Sequence, residues 1–200
     1  METIAEGAEA KIIKLDENIL KKIRLPKTYR LEIIDRKLRK FRNKREFKIL
    51  TKLYEAKVNV PQPFELIENT KEEEQEIAFT FEYINGENVK KNINETILNL
   101  AFNEIIKIHN QNITHSDLTT LNMIYFNNKV YIIDFGLGLF SHKAEDKAVD
   151  LNIFFNCIKN EHPEFYNKKE ELIETYLEKA QNSEKTIKSL NNIEKRGRNK

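Results

Sequence analysis

The chain has a single cysteine, Cys157, so no disulfide can close within its 200 residues and a reducing compartment is the default. No apolar run approaches the roughly 18 residues of a membrane span. The opening residues, Met-Glu-Thr-Ile-Ala-Glu, lack the basic start and apolar stretch of a secretion signal. These absences predict a cytoplasmic protein without a membrane partner. No internal repeat is visible, which argues against a repeat array. A large excess of one charge is also missing, since the net charge is only +2. That balance hides an asymmetry: Lys21 to Lys48 carries thirteen basic residues against Glu32, Asp35 and Glu46, Lys185 to Lys200 adds six against Glu194, and Glu68 to Glu76 is acidic. The two ends can therefore face different partners.

What is present is enough for a core, with 40% hydrophobic residues. Short strands are expected around Ile4, Ile12-Ile13 and Ile19 to Ile23, followed by a long helix from about Leu31 to Ala56. Its apolar face is read from Leu31, Ile34, Leu38, Phe41, Ile49, Leu50 and Leu53, and the two prolines between Val58 and Pro63 end it. Phe64 to Glu68 and Ile77 to Tyr83 read as two more strands around a solvated acidic hairpin loop, and Asn85-Gly86 reads as a hinge between two lobes. Beyond it, the spacing from Glu95 to Asn112 predicts an amphipathic helix in which His109 is a packed core residue. Residues 145–159 and 164–180 read as further helices, and from Asn182 the chain reads as a mobile polar tail. The expected architecture is α+β: an N-terminal lobe over residues 1–84, a reduced helical C-terminal lobe over 85–182 and a basic tail over 183–200.

The chemistry is carried by His115-Ser-Asp117-Leu-Thr-Thr-Leu-Asn122 and Ile133-Asp134-Phe135-Gly136. Each of Asp117, Asn122 and Asp134 alone reads as a turn residue or cap. Their joint spacing, around the hairpin of Met123 to Phe126 and Val130 to Ile133, matches the catalytic and metal-binding loops of a protein-kinase-like phosphotransferase. Asp117 would orient the attacking hydroxyl or water, while Asn122 and Asp134 would offer oxygen to magnesium beside ATP. A lysine must neutralise the phosphates, with Glu46 to hold it; strand parity leaves Lys21 and Lys22 both open. Gly7, Ala8, Glu9 and Ala10 would cover the phosphates, although one glycine cannot make a glycine-rich arch. Glu82, Tyr83 and Ile84, just before the hinge, would hold the base. Asp150 is placed to buttress the catalytic loop or to serve as an ordinary acid at a helix start. Only sixteen positions separate Asp134 from Asp150, no Ala-Pro-Glu motif follows, and fifty residues remain. A long activation segment and a peptide platform do not fit, which favours a specialised phosphotransferase or ATPase.

Over nearly its whole length the chain resembles the small kinase/ATPase subunits of the KEOPS complex. The resemblance rests on Gly7-Ala-Glu-Ala10, Lys22-Ile-Arg-Leu-Pro-Lys-Thr-Tyr-Arg30, Arg42-Asn-Lys-Arg-Glu46, the loops above, Ala148-Val-Asp-Leu151 and Arg196-Gly-Arg198. It implies a minimal two-lobed kinase fold, selects Lys22 as the phosphate lysine, and implies ATP, magnesium, a threonylcarbamoyltransferase partner, other KEOPS subunits and a role in tRNA modification. Its basic helix and tail would be the elements to reach tRNA or acidic partner surfaces. Two positions depart from the family pattern His-Gly-Asp-Leu-Thr-Thr-Ser-Asn: Ser116 replaces glycine, which is costly only if that backbone needs φ > 0, and Leu121 replaces serine. RIO-type and aminoglycoside-type kinases are competitors with a related loop, and Asp134-Phe-Gly is read here as arguing against both. A reading from another class makes the chain chiefly a scaffold or regulatory nucleotide-binding subunit with slow turnover.

Overall fold

The computed structural model describes residues 2–68 and 76–198; residues 69–75, read above as a solvated acidic loop, lie outside it. Strands β1 (Glu2–Glu6), β2 (Ala10–Lys14) and β3 (Ile19–Arg24) precede helix α1 (Glu32–Glu55), then β4 (Pro63–Glu68) and β5 (Ile77–Glu82). They form one antiparallel sheet in the order β1-β2-β3-β5-β4. Along β3 the side chains alternate, as a pleated strand requires. Leu20, Lys22 and Arg24 turn inward, while Lys21 pairs with Glu76. That alternation chooses between the two lysines.

Helix α1 meets the sheet differently from the expected way. Ile49, Leu50 and Leu53 are buried, but Leu31, Ile34, Leu38 and Phe41 are 75%, 51%, 38% and 61% exposed. From its start to past its middle the inward face of α1 is polar instead: Asp35, Asn43 and Glu46 are buried. Asp35 accepts from Arg39 Nε at 2.6 Å, and Asn43 Nδ2 donates to the Ala78 carbonyl at 2.8 Å. With these groups turned toward the sheet, the apolar row is rotated to the outside.

The second lobe contains β6 (Glu87–Asn88), α2 (Glu95–Asn110), β7 (Ile113–Thr114), β8 (Met123–Phe126), β9 (Lys129–Ile132), β10 (Leu139–Phe140), α3 (Ala144–Glu161), α4 (Lys169–Lys179) and α5 (Ser183–Arg198). Asn94 caps α2 by accepting from the Ile97 N–H at 2.9 Å. Asn127 and Asn128 both take positive φ, as a two-residue hairpin turn demands, and so set the register of β8 on β9. The α2 face carrying Ile97, Leu98, Ala101, Phe102 and Ile105 packs with Phe154, Phe155 and Tyr176 to make the core. His109 is buried in it.

Residues 183–198 are not a mobile tail. They form α5, which packs on α3 and α4 and buries Thr186 and Leu190 completely. Ser183 Oγ donates to the Leu177 carbonyl at 3.0 Å, and Lys169 Nζ bridges to Glu194 at 2.6 Å. At the hinge, Gly86 lies against β8 so closely that a Cβ there would meet the Tyr125 carbonyl and, at 2.8 Å, the Ile124 and Phe126 side chains. Only glycine fits. Behind the hinge, Asn59 donates its backbone and side-chain N–H groups to Glu104 at 2.9 and 3.0 Å, which fastens one lobe to the other.

Candidate nucleotide site

Lys22 reaches from β3 into the gap between the lobes. Its ammonium donates to Glu46 Oε1 and to Asp134 Oδ1, both at 2.8 Å. Arg24, two residues on and so on the same face of β3, takes the second Glu46 oxygen. Burying Glu46 is tolerable only because both oxygens are satisfied by cations. The same alternation that identifies Lys22 could have pointed to Arg24, which the sequence reading did not single out.

Asp134 begins the Asp-Phe-Gly turn at φ 61°. Its Oδ1 also accepts from the Gly136 N–H at 3.1 Å. Burial alone would raise its pKa, but the Lys22 charge and hydrogen bond, the Gly136 N–H and the field of His115 outweigh it and hold the carboxyl at about 2. It is therefore a fixed anion at neutral pH. Phe135 is fully buried and packs at a tilt against the His115 ring, 4.7 Å between centroids, which anchors the turn beneath the His115 to Asn122 loop.

The loop itself hangs from Asp150. That buried carboxylate accepts from the His115 N–H at 2.6 Å and the Ser116 N–H at 2.7 Å, and lies 3.3 Å from His109 Nε2. His115 Nε2 contacts the Ile133 carbonyl at 2.9 Å, so this nitrogen carries the proton. The other ring nitrogen then accepts from the Asp117 N–H at 3.3 Å. Ser116 stands at φ 66°, the conformation in which glycine has the advantage. Asn122 Nδ2 donates to the Asp117 backbone oxygen at 2.9 Å and to its carboxylate at 3.0 Å, which leaves Asn122 Oδ1 as the donor atom for a cation.

A cavity of about 230 Å³ opens between the lobes. Its walls are apolar, with Leu20, Phe79, Phe81, Ile84, Ile124 and Ile133, and one end is polar, with Lys22, Glu46, Asn122 and Asp134. Glu82, Tyr83 and Ile84 line it from the hinge side, as expected from their position before Gly86. Gly7, Ala8, Glu9 and Ala10 lie apart from these walls. They make the β1–β2 turn, closed by the Gly7 N–H on the Ala10 carbonyl at 3.0 Å. Glu9 there pairs with Arg42, and the Ala8 carbonyl accepts from Lys27. Asp117 is also outside the lining and is joined to it through Asn122. Among the described residues no three His, Cys, Asp or Glu side chains converge on a metal-sized point, and the oxygens at hand come from one amide and one carboxylate.

The RIO domain family model matches residues 10–147. A probable serine/threonine-protein kinase BUD32 homolog of Archaeoglobus fulgidus is 34% identical, over 96% of this chain and 93% of its own. A KEOPS complex subunit Bud32 of Pyrococcus abyssi is 35% identical, over 99% and 96%. A probable bifunctional tRNA threonylcarbamoyladenosine biosynthesis protein of Methanobrevibacter smithii is 36% identical over 98% of this chain, which spans only 36% of that longer protein. The fold is shared with the Rio2 kinase of Chaetomium thermophilum, solved as an ADP/Mg2+-phosphoaspartate complex, at a TM-score of 0.60 and 13% identity over 84% of this chain and 55% of that one. The RIO match corrects one inference: Asp134-Phe-Gly does not set the chain apart from RIO-domain proteins, because the turn is compatible with that domain's fold.

Proposed function

The chain belongs to the Bud32 family of RIO-domain serine/threonine kinases, and from that premise we propose that it binds Mg-ATP between its lobes and hydrolyses it in support of threonylcarbamoyl modification of tRNA. It would do so with a threonylcarbamoyltransferase and the other KEOPS subunits, and phosphoryl transfer to serine or threonine would be a second activity. The observation that carries this reading is Lys22, held at 2.8 Å from both Glu46 and Asp134 at the polar end of an apolar cavity.

The donor set fits magnesium, which takes few protein oxygens and keeps its waters and phosphate ligands. Asp134 is ionised and half exposed, and Asn122 has its amide nitrogen committed to Asp117. When bound, the metal would neutralise phosphate charge. Lys22 would leave Asp134 for the phosphates, with Glu46 keeping it aligned. Asp117, oriented by Asn122, would hold the attacking hydroxyl or water. The apolar walls and the main chain at Glu82 to Ile84 would receive the base.

Magnesium-dependent ATP turnover of the purified chain, alone and with the threonylcarbamoyltransferase and tRNA, tests the reading. Turnover should rise with the partners and vanish in Asp134→Ala; unchanged turnover in that variant would sink it. Contact of tRNA with basic α1 and α5 should weaken steeply with salt. A mainly scaffolding role draws support from the exposed apolar row of α1, and full complementation by Asp117→Ala would favour it. Among the described residues no helix is long and apolar enough to cross a membrane.

A further inference from the structure

Three stretches far apart in the chain meet beside the polar end of the cleft. The β1–β2 turn brings Glu9, the end of β3 and the loop after it bring Arg24 and Lys27, and the middle of α1 brings Arg42, with Arg45 three residues further along the helix. Arg24 adjoins the nucleotide site through Glu46, whose second oxygen it takes, and it lies beside Gly136 of the Asp-Phe-Gly turn. Arg45 also reaches this glycine, donating to its carbonyl at 3.5 Å.

The charges here are unbalanced. Glu46 is already shared between Lys22 and Arg24, so Glu9 is left to face Arg42, with Lys27 and Arg24 close by. The Arg42 hydrogen bond holds the Glu9 carboxyl below its ordinary pKa against the effect of partial burial, and the charges of Arg42, Arg24 and Lys27 add to it. Burial, followed by the charges of Arg42 and Arg24, pushes Arg45 down. Arg24 is 5% exposed, and both Arg24 Nε and Arg45 Nε are buried without an acceptor among the described residues. Guanidiniums crowded in this way call for a multivalent oxyanion, and phosphate offers more acceptor oxygens than a carboxylate. Glu9 sits on a turn with 43% of its side chain exposed, so it can leave without disturbing the core.

We propose that Arg24, Lys27 and Arg42 form a binding site for one phosphate group, occupied by the Glu9 carboxylate in the free protein and vacated by it when phosphate arrives. Arg45 strengthens the field of the site. The phosphate is supplied either as the inorganic ion released by ATP hydrolysis or as a backbone phosphate of bound RNA. Only the first source rests on the function proposed above.

The test is a calorimetric titration of inorganic phosphate into the full chain, free of nucleotide and magnesium and at constant ionic strength. Saturable one-site binding is expected, about tenfold tighter in Glu9→Gln, because a site blocked nine-tenths of the time by its own side chain loses that factor in apparent affinity. Arg42→Gln and Lys27→Gln should each weaken it about tenfold, as loss of a charge-assisted contact does, with circular dichroism melts confirming that each variant is folded. Absence of saturable binding in both the wild type and Glu9→Gln, or binding indifferent to Glu9, Arg42 and Lys27, overturns the proposal. Competition by a short single-stranded RNA assigns the site to RNA backbone; lack of competition assigns it to the hydrolysis product. A parallel titration with Mg-ATP separates the two readings: phosphate bound without ATP sinks the nucleotide function and keeps the site, and ATP bound without phosphate does the reverse.

Discussion

Ser116 carries a side chain in the left-handed region, which costs about 1–2 kcal/mol for an L-residue. The loop tolerates this because Asp150 fixes the Ser116 and His115 N–H groups together, so the backbone is not free to relax. Ser116→Gly should therefore raise stability by about 1 kcal/mol, net of the extra freedom glycine gives the unfolded chain. Urea denaturation reads this directly, and a loss of stability would mean that the hydroxyl makes a compensating contact. Asp134 sets a pH dependence. Its carboxyl falls from an ordinary 3.8 to about 2 in the folded protein. The stability it contributes is present above the unfolded value and disappears as pH falls through the folded one. Acid denaturation midpoints should thus fall more gently in Asp134→Asn than in the wild type over that window. Superimposable acid profiles would show that Lys22 gains nothing from Asp134.

Helix α5 belongs to the core of the second lobe. Leu190 is fully buried, and Leu190→Ala should cost about 2–4 kcal/mol, measured as a shift in denaturant midpoint; a change under 0.5 kcal/mol, typical of a surface site, would return α5 to the status of a tail. The sequence reading missed α5 because its inward apolar residues are only Ile187, Leu190 and Ile193 within a basic, polar segment. It misplaced the face of α1 for the opposite reason. There polar groups turn inward and find partners supplied by other elements, such as the Ala78 carbonyl for Asn43, and periodicity cannot foresee such partners. The strands, the hairpin and the grouping of Asp117, Asn122 and Asp134 were legible because their signals are local: short apolar runs, paired asparagines at the β8–β9 turn, and polar residues at fixed spacing. The position of the β1–β2 turn was not, since it depends on Arg42 and Lys27 from distant parts of the chain.

At the scale of the molecule, the two lobes are joined by the Gly86 crossing, the Asn59–Glu104 hydrogen bonds and the Lys22–Asp134 ion pair. A ligand seated between them stabilises both at once, by about 2.7 kcal/mol at a hundred times Kd. Mg-ATP should accordingly raise the melting temperature of the whole chain in one transition, and should do so far less in Asp134→Ala; two separate transitions, with one unmoved, would show lobes that ignore each other. The outer face of α1 has a further, colloidal consequence. Tyr29 and Leu31 just before the helix and Ile33 and Phe41 on it are each more than 60% exposed, set among Arg36, Lys37, Lys40 and Lys44. Those cations hold identical copies apart at low ionic strength, and salt screens them over a Debye length of about 8 Å under physiological conditions. Solutions of the isolated chain should then scatter more light as salt is added, the reverse of what a purely ionic contact would do, with the oily row of one molecule finding that of the next.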